Sequence, residues 1–133
     1  MAISYSNPPT VAAPDGHFAQ AVFVPTGTSL LFISGQVPRA LDGRTVGKGS
    51  AQIQAEQVFA SLADILAAHS ASFADVVKAT IFLTDFAHAE VVSTVRQRYY
   101  GDATPASTMV QVVRLGDPDW LLEVEMLAAL PNR

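Results

Sequence analysis

Residues 76–84, VVKATIFLT, constrain the fold more than any other stretch of the chain. The segment is rich in β-branched and aromatic residues and reads as a strand. One parity carries Val77, Ala79, Ile81 and Leu83, while the other still carries Val76, Thr80 and Phe82. Residues 109–115 behave in the same way, with Val110 and Val112 on one side and Met109, Val113 and Leu115 on the other. Strands of this kind build a sheet that is apolar on both faces. The chain offers two amphipathic helices, and two helices cover one face. The economical cover for the second face is another copy of the chain, in a symmetric oligomer.

The remaining elements follow from periodicity and punctuation. Residues 1–16 hold three prolines and read as an extended surface arm. HFAQAVFV (17–24) and LLFISGQ (30–36) flank the turn-forming PTGTS, which predicts a β-hairpin over 17–36. An irregular loop with three glycines fills 37–49. The clearest helix spans 50–69, with Ser50 as N-cap and Ala55, Val58, Phe59, Leu62, Ile65 and Leu66 as one apolar stripe. Ser72 and Asp75 have capping-box spacing. Asp85 precedes a second helix over 87–100, striped by Val91, Val92, Val95 and Tyr99 and stopped by Gly101. Strands over 109–115 and 121–129 flank a GDPD turn. The predicted order is ββαβαββ in a single α+β domain over 1–133, with both helices on one face of a mixed sheet.

Composition excludes several functions. The net charge is −4, and the eight Lys and Arg residues are scattered without a basic stripe, which argues against nucleic acid and against an anionic membrane surface. There is no cysteine, so thiolate chemistry and cysteine metal sites are excluded. No apolar run is long enough to cross a bilayer, and MAISYSNPP does not read as a secretory leader, so a cytoplasmic location is expected. His17, His69 and His88 are too far apart in sequence to suggest a metal site. No phosphate-binding glycine loop and no Gly-x-Ser-x-Gly elbow occurs, and Ser34 and Ser107 have no base beside them.

The last strand, LLEVEML (121–127), alternates cleanly. Leu122, Val124 and Met126 share one face, and Glu123 and Glu125 share the other with Leu121 and Leu127. Two acids two residues apart on one side stand about 7 Å from each other. A carboxylate bounded by leucines is partly desolvated and suits a general base. Two solvated charges on a strand edge is the competing reading, and the pattern alone favours it.

Three segments together resemble the Rid family, the RidA/YjgF-like reactive-intermediate deaminases. They are FISGQVP (32–38), VVKATIFLTDF (76–86) with the helix and YYG after it, and PAST…LLEVEMLAAL (105–130). The resemblance runs from about Gly16 to Leu130. It implies a chorismate-mutase-like fold, a homotrimer, and sites in the clefts between subunits. It also implies hydrolysis of imines and enamines such as 2-aminoacrylate, giving ammonia and a 2-oxo acid without a cofactor or metal. By that resemblance the water-positioning acid is Glu123, Glu125 is the second acid of its strand, and Ser34, Gly35 and Gln36 line the cleft.

The departures lie in the same cleft. Ser107 stands where the family carries the arginine that anchors the substrate carboxylate. Phe18 stands where a tyrosine is common, and Met109 where a small residue or cysteine is common. A guanidinium grips a carboxylate through two charge-assisted bonds, and a serine offers one neutral bond. The replacement is expected to cost tenfold to several-hundredfold, on the order of magnitude set by those bond strengths, in affinity for a small 2-imino acid. Arg114 has the opposite strand parity and is expected to point away. Arg39 follows SGQVP and is the candidate to reach in, from a neighbouring subunit.

Two functions follow. One is a divergent hydrolase with Glu123 as base and a small-molecule substrate bound among Phe18, Ser34, Gly35, Arg39, Ser107 and Met109. The other is a trimer that binds a small molecule without turnover. A ribonuclease activity, also attached to this family, is disfavoured by the acidic charge.

Overall fold

The structure is a computed structural model and describes residues 2–131. The elements are β1 (Ser4–Ser6), β2 (Ala21–Phe23), β3 (Thr28–Gln36), α1 (Ala51–Ala68), β4 (Val76–Leu83), α2 (Ala89–Tyr100), β5 (Ala106–Gln111) and β6 (Leu122–Pro131). Short 3-10 turns at Phe73–Asp75 and Phe86–His88 lead into β4 and α2. The α+β class is as expected, with α1, α2 and one face of the sheet enclosing the core.

The main sheet has four strands in the order β3-β6-β4-β5. The β3/β6 and β4/β6 pairs are antiparallel, and β4/β5 is parallel. Local signals set the boundaries. Ser50 Oγ accepts from Ile53 N at 3.2 Å and opens α1. Asp75 Oδ2 accepts from Ser72 N at 3.0 Å, and Ser72 Oγ accepts from Ala74 N at 3.3 Å. Asp85 Oδ1 accepts from Ala87 N at 2.9 Å. Gly101 takes a positive φ of 57° and ends α2, a conformation that favours glycine.

Two expectations need correction. The 17–36 hairpin does not form. β2 pairs instead with β1 in the N-terminal arm, as a separate two-stranded sheet, and β3 pairs with β6. The physical reason is the match in length and parity between β3 and β6. Leu31 faces Ala128 and Ile33 faces Met126 on the helix side, which buries Ala128, Ile33 and Met126 in the core and packs the partly buried Leu31 against it. The three-residue β2 offers no such partner. The second correction concerns β5, which begins at Ala106 and ends at Gln111, earlier than the 109–115 predicted. Ser107 and Thr108 are therefore inside the strand rather than at its mouth. Arg114 lies beyond it, with Nε donating to Leu115 O at 2.9 Å and Nη2 to Gly116 O at 3.3 Å.

The two faces of the sheet differ sharply. Ala79, Ile81, Leu83, Leu122, Val124, Met126 and Ala128 are buried beneath the helices. The other face carries Leu30, Phe32, Phe82, Val110 and Leu127 among Thr80, Thr108, Glu123 and Glu125. Phe32 is 76% exposed there. Among the described residues of one chain, nothing covers this apolar face.

Candidate functional site

A cleft of about 550 Å³ opens between α2, the start of β5 and residues 15–18. Backbone pairing builds it. Ala19 bridges Ala106 in parallel, and its N–H points to the carbonyls of Thr104 and Pro105 at 3.2 Å each. That pairing sets Phe18 beside the start of β5. In the β4/β5 register, Ser107 lies opposite Ala79 and Met109 opposite Ile81, so both side chains are on the helix side of the sheet. Phe18, Ser107 and Met109 thus line one cleft, together with His17 and Phe86, and Ser34 and Glu123 do not line it.

The cleft also holds a residue that the sequence reading does not single out. Arg96 of α2 lines it and is only 8% exposed. Its guanidinium carbon lies 5.9 Å from the centre of the Tyr100 ring, and its Nη2 is 3.4 Å from Ser93 Oγ. Its Nε has no hydrogen-bond partner, and neither has the Tyr100 hydroxyl. Burial pushes the Tyr100 phenol well above its usual range, against a smaller opposing effect of the Arg96 charge. Helical spacing carries the signal for Arg96. It sits four residues after the buried Val92 and four before the buried Tyr100, so it shares their inward stripe.

The other predicted residues gather on the opposite face. Glu123 pairs with Phe82, on the uncovered side, and is half-buried. The β3/β6 register shifts between Ile33 and Gln36, a bulge that contains Ser34 and Gly35. The Glu123 carboxylate packs directly over Gly35. A Cβ on Gly35 would collide with Glu123 Oε2 and stand 2.8 Å from its Cδ. Glycine at 35 is what lets the Glu123 carboxylate take this position. Ser34 is exposed and shares a shallow depression with Phe32, Thr80 and Glu125. Gln36 Nε2 donates to Ser34 O at 3.1 Å.

Arg39 lies apart, on the side of α1, whose Gln57, Ser61 and Asp64 share its cleft. It lines a loop cleft with Gly35 and Gln36, and its Nε donates to Gly43 O at 3.0 Å. It does not reach the Ser107 cleft of its own chain. Among the described residues, no group of three His, Asp or Glu side chains is arranged to hold a metal ion. No helix of the described residues is long and apolar enough to cross a membrane.

One buried polar residue ties the face bearing Glu123 to the helices. Gln54 of α1 is fully buried, and its Nε2 donates to Asp119 O at 2.9 Å and Gly47 O at 3.2 Å. Its Oε1 accepts from Leu121 N at 2.8 Å, two residues before Glu123. The start of β6 is thereby fixed.

Comparison with known proteins agrees with this architecture. Residues 10–130 match the family model described as Endoribonuclease L-PSP. A RutC family protein of Synechocystis is 36% identical over 124 residues, covering 90% of this chain and 91% of that protein. Reactive Intermediate Deaminase A, chloroplastic, of Arabidopsis thaliana is 30% identical over 115 residues, covering 86% of this chain and 59% of that protein. Among solved structures, the Rid-family protein YyfB of Yersinia pestis superposes with a TM-score of 0.85 at 30% identity, covering 98% of this chain and 100% of that one. A sheet buried by helices on one side and apolar on the other, together with these similarities, leads to one assignment: this chain belongs to the Rid family, which the family model describes as Endoribonuclease L-PSP.

Proposed function

We propose that the protein is a cofactor-independent hydrolase of the deaminase type, acting on an imine, an enamine or a related small metabolite in clefts between the subunits of a homotrimer. The observation that carries this reading is the seat of Glu123. Its carboxylate is held over Gly35 in a bulge, half-buried, at the margin of a sheet face that is apolar and uncovered. A second copy on that face would dry the carboxylate and bring its own cleft, with Phe18, Ser107 and Met109, up to it. Ser34 and Gly35 would contribute from the Glu123 side.

In that cleft Glu123 accepts a proton from water as the oxygen adds to the imine carbon. That proton passes to nitrogen to give the carbinolamine, and Glu123 then carries the hydroxyl proton to nitrogen as well. The C–N bond breaks, ammonia leaves and the carbonyl forms, so imine plus water gives ketone plus ammonia. No redox partner is needed. Ser107 sets the preference. Its hydroxyl offers one neutral bond at the β5 wall, which disfavours compact 2-imino acids held at that point. The deaminase name of the Arabidopsis relative supports the reaction class.

The test is to generate 2-aminoacrylate in the presence of the protein and follow the 2-oxo acid. Slow turnover is expected, and Ser107→Arg should raise it by about tenfold or more. Turnover by the unaltered protein that Ser107→Arg does not improve overturns the role given to Ser107. The absence of turnover in both, with saturable binding of the acid, favours the binding trimer instead.

A further inference from the structure

We propose that Arg96 is the anion anchor of the cleft, taking the carboxylate of substrate or product on the α2 wall where Ser107 on the β5 wall offers only a hydroxyl. The proposal deepens the functional reading above and rests on it for the identity of the ligand.

Four observations carry it. Arg96 lines the same cleft as Ser107, Met109 and Phe18. It is more than nine-tenths buried, at 8% exposure. Its Nε is without a hydrogen-bond partner, and the contact from Nη2 to Ser93 Oγ is long at 3.4 Å. None of the ion pairs among the described residues involves it.

A guanidinium carries five N–H donors and stays charged. Holding one out of water without a counter-ion is costly. Cation–π contact with the Tyr100 ring holds the head group in place but satisfies no donor. A carboxylate entering the cleft would meet the Nη N–H groups at the end of the fork, a bidentate geometry open to arginine, since Nε is itself enclosed. Asp15 and Glu90 also line the cleft, but both are exposed and neither pairs with Arg96. They keep their hydration and leave the buried cation for the ligand.

The ligand class follows. It carries one carboxylate, with the reacting carbon away from the α2 wall. It lies across the cleft rather than against β5.

The experiment titrates the intact protein with pyruvate and with its neutral methyl ester, following the Nε–H resonance of Arg96 by NMR. Pyruvate should shift that resonance saturably, and the ester should not. Arg96→Lys should weaken pyruvate by about tenfold, since the charge remains but the fork is lost. Arg96→Met should weaken it by about a hundredfold, and Ser107→Ala by less than about threefold. Unchanged pyruvate binding in Arg96→Met, or equal binding of the ester to the unaltered protein, overturns the proposal. Should Arg96→Met fail to fold, the Arg96 resonance and Arg96→Lys decide the matter.

Glu123→Gln, run beside these, separates the two claims. Turnover that survives Glu123→Gln removes the base role of Glu123, and no turnover in the unaltered protein while pyruvate depends on Arg96 removes the hydrolase reading and keeps the anchor. Turnover lost in Glu123→Gln while pyruvate ignores Arg96 removes the anchor and keeps the hydrolase.

Discussion

Ser107 and Glu123 lie on opposite faces of one sheet: Ser107 sits opposite Ala79 beneath the helices, and Glu123 sits opposite Phe82 on the uncovered side. Their strands, β5 and β6, are separated by β4, about 10 Å apart across the ladder. The sheet itself stands between the two side chains. A cleft that uses both takes them from two copies of the chain, and each copy gives half of one site and half of another.

Glu123→Gln removes the proton acceptor and keeps the shape. Turnover is expected to fall by about 10²- to 10⁴-fold. Affinity for the 2-oxo acid product should change by less than about threefold, because the anion is held elsewhere. Steady-state rates and an equilibrium titration measure the two effects separately. Loss of affinity with the rate intact contradicts a base role.

Gly35→Ala tests the seat of that carboxylate. The new Cβ would displace Glu123, and the atoms it meets are the far end of a flexible side chain. The fold should lose less than about 1 kcal/mol by urea denaturation. Turnover should fall on the order of 10²-fold, since misplacing a catalytic group by about 1 Å has that effect. Equal losses of stability and rate would make Gly35 a packing residue only.

Gln54→Ala leaves Leu121 N–H and the carbonyls of Asp119 and Gly47 without their partner in a buried place. The expected loss is about 2–4 kcal/mol. It is read as a lower urea midpoint with an unchanged denaturant slope. A loss well under about 1 kcal/mol would show that water replaces all three bonds.

Much of this architecture is legible in the chain. The α1 stripe, the caps at Ser50, Ser72 and Asp85, and the stop at Gly101 depend on near neighbours, and periodicity reads near neighbours well. The hairpin expected over 17–36 does not form, because strand choice is a contest between distant segments. PTGTS permits a hairpin, but β6 offers β3 a longer partner of matching parity. Ser107, Phe18 and Met109 line one cleft, while Ser34 and Glu123 lie elsewhere in the same chain. Arg96 and Gln54 escape the reading because a polar residue on an apolar helical stripe looks like an interruption. Only packing shows that Gln54 is the centre of three bonds and that Arg96 lacks one. The gap left by Ser107 reads from sequence as a missing cation, whereas the structure puts a different cation in the same cleft.

Tyr100 makes a prediction about pH. Its phenol is buried and unpartnered, so the folded protein holds the phenolic proton more tightly than the unfolded chain does. The sign follows from linkage. The contribution is fully present below the ordinary phenol value of 10.0 and is lost as pH rises above it. Tyr100→Phe should match or exceed the unaltered protein by up to about 1 kcal/mol near neutrality. It should also lose less stability between about pH 8 and about pH 11, with the remaining slope shared by Tyr5, whose phenol burial also raises. Identical pH profiles for the two proteins would contradict the burial of the hydroxyl.

The central claim is that the Ser107 half of one copy meets the Glu123 half of another. The chain has no cysteine, so thiol chemistry can be placed at will. Ser107→Cys and Glu123→Cys proteins are unfolded and refolded together, treated with a short bismaleimide, and compared with each variant alone. The account predicts covalent dimers in the mixture well in excess of either variant by itself. No excess in the mixture would mean that the two halves never face each other, and the intersubunit site would be contradicted.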